Sequence, residues 1–186
     1  MSKINISLDV ETLGTSKKSV ISQIGAVKFT DDGEIVDRFI SNIDIKVYDN
    51  PFYRGLLDID IQTVVWWLNQ DEKAQKSVYS FGLKREHPEK ALIRFAEWAS
   101  DDKEVVFWSH NSFDPSIVEE NFKVWDLSCP IHRHNSFDIR TLFYFVPKDE
   151  SVEHVGVKHN ALHDAIHQAR QVSKSLQKLK KAMTYV

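Results

Sequence analysis

The sequence predicts an α/β fold, a mixed β-sheet flanked by α-helices, built as one domain over residues 1–186. Three observations predict it. Apolar and polar residues alternate through Ile4, Ile6, Leu8 and Val10, which is strand periodicity. Leu162, Ala165, Ile166, Ala169, Val172, Leu176 and Leu179 recur at helical spacing, so the chain ends in a long helix with one apolar stripe. Between these lies a short apolar run, Val105 to Trp108, set between amphipathic stretches. Strands and helices mixed in this way bury their apolar faces against one another.

The first strand runs over Ile4 to Glu11, and its alternation sends Asp9 and Glu11 out on the same face. Val20 to Thr30 (VISQIGAVKFT) is a second strand and Glu34 to Ile40 a third, joined by the turn signal Asp31-Asp32-Gly33. Residues 44–59 are irregular, with Asp49-Asn50-Pro51 marking a turn. Asp60 is placed to cap a helix reaching Leu68, and Asp71 to Val78 forms another. Glu89 to Ala99 is an amphipathic helix with Leu92, Phe95 or Ala96, and Ala99 on one side. The Val105 to Trp108 strand leads into His110 to Asp114, and Pro115 suits the first turn of a helix through Phe122. Ser136 to Phe145 begins as a strand or turn and continues as a short helix. No repeat or linker interrupts this order.

Composition narrows the class. Apolar content of 42% with 11 Phe and 5 Trp supports a packed core, and few Gly and Pro argue against disorder. The net charge of -3 gives no global positive field; positive charge is local, at Lys17-Lys18, Lys84-Arg85 and Lys174 to Lys181. The lysine cluster on the last helix reads as its solvated side. The single cysteine, Cys129, permits no intramolecular disulfide and reads as a small buried apolar residue in a reducing compartment. No apolar run approaches the roughly 20 residues that span a bilayer, and no signal peptide precedes the first strand. The expectation is a soluble, cytoplasmic protein without membrane contact.

Four carboxylates stand out against apolar neighbours, where an ionised group is costly unless it is compensated. They are Asp9 and Glu11 in LDVETLG, Asp114 in WSHNSFDPSIVEE, and Asp164 in KHNALHDAIHQA. Taken singly, each has a plainer explanation. Asp9 and Glu11 are then solvated strand positions, Asp114 caps the helix at Pro115, and Asp164 favours a helix N-terminus. Taken together, acids at strand ends and helix starts can converge on one sheet edge. Hard cations such as Mg2+ and Mn2+ require such oxygen ligands. Two of them about 3.5–4 Å apart clamp the attacking and leaving oxygens of a phosphodiester.

The segments LDVET, HNSFD and HNALHDA, in this order over nearly the whole chain, resemble the three motifs of the DEDDh branch of 3′–5′ exonucleases. LDVETLGT, ISQIGAVKF, TVVWWLNQ and FDIRTL are similar to phage exonuclease A and to mycobacterial-type exoribonucleases. The resemblance implies a ribonuclease H-like fold and hydrolysis with two divalent cations, Mg2+ or Mn2+. It implies a single-stranded nucleic acid with a free 3′ end as partner, DNA or RNA, and nucleoside 5′-monophosphates as products. By position it makes Asp9, Glu11, Asp114 and Asp164 the metal ligands and His159 the general base. It also points to residues just after the first motif, Thr12 and Leu13, as contacts for the terminal nucleotide; Phe113, which flanks Asp114, either touches the terminal base or packs in the core. Arg140 binds phosphate or pairs with an acid. Homodimers are common among similar exonucleases, although no oligomer seam is visible in the sequence.

Other readings of these residues stand beside that one. His159, His163 and His167 are spaced by four, which would stack them on a helix and invite zinc, but Asn160 occupies the place of the glutamate in H-E-x-x-H. His163 adjoins Asp164 and is the second candidate base. LDVET also resembles the D-x-D-x-T nucleophile motif of haloacid-dehalogenase-like phosphatases, with Glu in place of the second Asp. Trp66 and Trp67 offer either a stacking platform or a core face, and packing is the expectation for Trp67. A catalytically silent nucleic-acid-binding module on the same fold is the alternative function.

Overall fold

The computed structural model describes residues 4–100, 105–110 and 113–184. Asn111 and Ser112 of the HNSFD segment lie outside the described residues. Five strands form one sheet: β1 (Asn5–Thr12), β2 (Ile21–Phe29), β3 (Ile35–Asn42), β4 (Val106–Ser109) and β5 (Ser136–Asp138), in the order β3-β2-β1-β4-β5. β1 pairs antiparallel with β2 and parallel with β4, so the sheet is mixed, as expected. The helices are α1 (Ile61–Leu68), α2 (Glu72–Tyr79), α3 (Pro88–Ala99), α4 (Phe113–Val124), α5 (Ile139–Phe145) and α6 (Ala161–Met183).

Local signals set most boundaries. Asp60, Asp71, Asp138 and Asn160 each accept a hydrogen bond from a backbone N–H of the helix they precede, satisfying donors that a helix start leaves unpaired. Pro88 opens α3, where its missing N–H costs nothing. Most boundaries fall within two residues of expectation, and two departures bear on the acids. The first strand runs on to Thr12, with a register shift between Glu11 and Thr12. α4 begins at Phe113, before Pro115, so Asp114 lies inside the first turn instead of capping it.

The two faces of β1 have different chemistry. Ile6, Leu8 and Val10 join Ile24, Ala26, Phe39 and Phe107 in a core closed by α3 and α4 through Leu92, Phe95, Ile117 and Phe122. On the other face the register sets Ser7 opposite Val27, Asp9 opposite Gly25 and Glu11 opposite Gln23. α6 lies over this face. Its Ala169 and Val172 pack with Val27, Phe29 and Trp108 at one end, and its N-terminus reaches the acids at the other.

That N-terminus comes close to β2 because residue 25 is glycine. A Cβ at Gly25 would fall 2.1 Å from the Ala161 carbonyl carbon and 2.1 Å from the Leu162 amide nitrogen, inside atomic contact. Next to it, the Ala161 N–H donates to Gln23 Oε1 at 2.8 Å, and the Gln23 amide group donates to Asn42 Oδ1 and to the Ser77 carbonyl. The start of α6 is thereby fixed against the strand that pairs with the two acids.

Lys178 and Lys180 of α6 pair with Asp149 and Asp31 at the surface. Cys129 packs against the main core, and burial pushes its thiol up to about 11, consistent with a packing role. Among the described residues no helix is long and apolar enough to cross a membrane.

Gly25→Ala forces backbone against backbone and should destabilise the protein by about 1–3 kcal/mol or more. Gly82→Ala, where only Ser80 Oγ at 3.9 Å would face the new methyl, is the control and should change stability by only a few tenths of that. Urea denaturation midpoints measure both. Equal midpoints for the two variants would contradict the close approach.

Candidate active site

Each acid is held by a different device. Asp9 projects from the middle of β1, and its Oδ1 accepts from Gln168 Nε2 at 2.8 Å. Gln168 Oε1 in turn accepts from Ser7 Oγ at 3.4 Å, so a single α6 side chain bridges two β1 positions. Glu11, one alternation further along, is 8% exposed. Asp114 is 2% exposed, and its carboxylate accepts from the backbone N–H groups of His110 and Val10, which ties the start of α4 to β1. Asp164 stands in the first turn of α6. Its Oδ2 accepts from the His159 N–H at 2.8 Å, and its Oδ1 contacts His154 Nε2 at 2.5 Å.

The acids converge. Burial raises the Asp9 carboxyl well above the ordinary carboxylate range, and the negative charges of Asp114, Glu11 and Asp164 raise it further. Burial, then Asp164 and Asp114, push Glu11 up to about 8. Burial pushes Asp114 up to about 7 against the pull of its backbone donors. Like charges gathered at this depth need a counter-charge to remain ionised together. The donor set suits a divalent cation: ligand atoms of Glu11, His159 and Asp164 lie within 4.8 Å of one another, and Asp9 and Asp114 bring further carboxylate oxygens.

His159 precedes α6 and adopts φ 59°, in the left-handed region that a non-glycine residue enters at a cost. Asn160, the N-cap, fixes this turn by accepting from the His163 N–H. The His159 ring meets Trp66 edge-on at 5.0 Å and Trp67 at 6.2 Å. The expected packing role of Trp67 is observed: it is 4% exposed and donates from Nε1 to the Thr12 carbonyl. Trp66 is 43% exposed beside the histidine. The three histidines spaced by four do not form a zinc-binding stack. His159 is off the helix, His163 Nδ1 accepts from the Val157 N–H, and His167 lies beside His154.

Two cavities flank the acids. One, of about 420 Å³, is lined by Glu11, Thr12, Thr15, Trp66, Trp67 and Phe113, among others. The other, of about 170 Å³, is lined by Asp9 and Asp164 together with His110, Lys148, His167 and Gln171. Thr12 and Phe113, expected as substrate contacts, both line the wider cavity. Leu13, the third expected contact, is instead 7% exposed and packs with Val20, Tyr48, Leu57, Trp67 and Val78. β1 ends at Thr12 after a register shift, and Leu13, just beyond it, enters this cluster. Arg140 is exposed on α5, and its charge acts on Asp114 and His110.

Gln168 and His154 belong to the site's surroundings although the sequence gave them no role there, and Trp66, expected as a stacking platform or a core face, stands exposed beside His159. Gln168 lies one helical turn after Asp164, a spacing that could have revealed it. His154 lies in an aperiodic loop, and no local pattern identifies it.

The family model of the Rv2179c-like 3′–5′ exoribonuclease domain matches residues 4–176. No curated protein matches the sequence significantly. Among solved structures, E. coli exonuclease I in complex with a dT13 oligonucleotide is 12% identical with a TM-score of 0.69, covering 98% of this chain and 43% of that one. The zinc-bound E. coli exonuclease I complex with single-stranded DNA is 12% identical with a TM-score of 0.66, covering 100% of this chain and 43% of that one. The fold is therefore the ribonuclease H-like fold of exonuclease I, and the chain spans less than half the length of those proteins.

The raised carboxyls have a consequence for stability. Glu11, ordinarily near 4.5, holds its proton more tightly folded than unfolded, so its contribution is complete below pH 4.5 and is lost as pH rises through about 8. In EDTA the unfolding free energy should fall across this window by about 1 kcal/mol or more, and Mn2+ should flatten the decline. Asp9→Asn should stabilise the EDTA-treated protein at pH 8 because it removes one of the crowded charges. Urea titrations at pH 5.5 and 8.5 test all three expectations, and metal-free stability that rises with pH would contradict the clustering.

Proposed function

The chain belongs to the Rv2179c-like 3′–5′ exoribonuclease domain family, and on that premise we propose that it removes nucleotides one at a time from the 3′ end of single-stranded nucleic acid. The observation that carries the reading is the convergence of Asp9, Glu11, Asp114 and Asp164 around a histidine tethered to one of them.

Two divalent cations, Mg2+ or Mn2+, held by these four acids would neutralise them and supply the Lewis acidity that acidifies water and stabilises a leaving oxygen. The protein's own groups do the rest. His159 takes the proton of the attacking water, a task suited to an imidazole near neutral pH. Its strained backbone, the tether from its N–H to Asp164 and the edge of Trp66 fix where that proton goes. Water adds to phosphorus, the bond to the 3′ oxygen breaks, and that oxygen stays on the retained strand, where it takes a proton from solvent water to become a hydroxyl. The released product is a nucleoside 5′-monophosphate. The wide cavity beside Glu11 receives the terminal base, with Trp66 and Phe113 as aromatic walls and Thr12 at its edge. Arg140 offers a cation to the phosphate backbone.

Three measurements test this. A timed digest of 3′-labelled and 5′-labelled single strands of DNA and RNA, with Mg2+, Mn2+ or EDTA, should free the 3′ label at once as a mononucleotide and nothing in EDTA. Early release of the 5′ label would sink the polarity, and the same digest identifies the sugar. Asp9→Asn should reduce turnover to the background of a metal-free sample. His159→Ala should lower kcat by about 10²–10⁴ while Mn2+ binding, followed calorimetrically, persists. Loss of binding in that variant would instead make His159 a metal ligand.

A further inference from the structure

The two cavities beside the acids differ in chemistry. The wide one has aromatic walls and no cationic side chain. The narrow one, about 170 Å³, falls below the roughly 300–1,000 Å³ of sites that enclose whole small molecules, yet it carries Lys148, His110 and His167. Several lysines and arginines in this protein are paired with acids, as in Arg94–Glu86, Lys76–Glu72 and Lys180–Asp31. Lys148 has no carboxylate within salt-bridge distance among the described residues. Its ammonium stands 5.2 Å from the centre of the Phe143 ring, and Phe143 lines the same cavity. The positive charges of Lys148 and Arg140 both act on His110, and that of Lys148 also acts on His167. An ammonium without a salt-bridge partner, facing a cavity that two imidazoles also line, suits a phosphate.

We propose that Lys148, with His110 and His167 beside it, binds the phosphodiester of the retained strand one linkage upstream of the bond that is cut. This rests on the exonuclease reading above: if the terminal base takes the aromatic cavity beside Glu11, the strand leaves the acids on the side of Asp9 and Asp164, where the narrow cavity opens. Cations bound to the acids would remove the repulsion that Asp9 and Asp164 otherwise exert on a phosphate there. Charge-assisted hydrogen bonding gives an ammonium this grip without regard to base identity.

The test uses a trinucleotide, built on the sugar that the labelled digest identifies, with either an ordinary phosphodiester or a neutral methylphosphonate at its upstream linkage. The scissile linkage stays ordinary in both. For the unaltered protein, neutralising the upstream linkage should lower kcat/KM by about tenfold or more. In Lys148→Gln that ratio should collapse towards one, and Lys148→Arg should restore most of it. A ratio unchanged in Lys148→Gln overturns the subsite, as does an unaltered protein that cleaves both trinucleotides equally. Failure of the unaltered protein to release a 3′ mononucleotide from either trinucleotide would instead overturn the exonuclease reading itself.

Discussion

The approach of α6 to β2 at Gly25 is the contact on which the rest of the site depends. The sheet alone sets Asp9 and Glu11 side by side but gives them nothing to face. A helix packed over side chains would ride several ångströms higher. With no Cβ at residue 25, the Ala161–Leu162 backbone descends onto the strand directly opposite Asp9. Gln23 then holds the first N–H of the helix, and the helix carries His159, Asp164 and Gln168 to β1. A methyl group at one position would therefore act on the geometry of residues far apart in sequence.

That geometry is bought against electrostatics. Protein interiors avoid unpaired charge, and here burial lifts three carboxyls while neighbouring negative charge lifts Asp9 and Glu11 further. Backbone N–H donors to Asp114 and the Gln168 amide on Asp9 offset only part of this. The His159 backbone adds strain of its own. Each feature weakens the fold locally and is tolerated because the two hydrophobic layers around the sheet supply stability elsewhere. Crowded acids of this kind favour the binding of divalent cations, since the cation relieves a repulsion already present.

The surroundings of the acids divide the labour spatially. Aromatic walls and threonines lie towards Glu11, and cationic groups lie towards Asp9 and Asp164. Bases stack on aromatic faces whatever their identity, whereas phosphates require positive charge or donors. The acids sit on the ridge between these two environments, where the linkage between a base-bearing terminus and its backbone would fall.

Much of this was legible in the chain. Alternation through LDVET put Asp9 and Glu11 on one face, because strand geometry is local. Asp60 and Asp71 marked helix starts, because capping depends only on adjacent residues. The apolar stripe of the last helix specified a partner face. The sequence alone could not decide what lies across space from what. Leu13 looked like a cleft residue, but the register shift at Thr12 turned it into the core. His154 reached Asp164 from an aperiodic loop, and Trp66 met His159 across the gap between α1 and α6. Lys148 and His110 came together around one cavity although neither announces the other. Local geometry is written in nearest neighbours along the chain, and it determined the elements and the candidate acids. Convergence depends on how closely two layers can approach, and only the folded chain, with Gly25 at the point of contact, decided that.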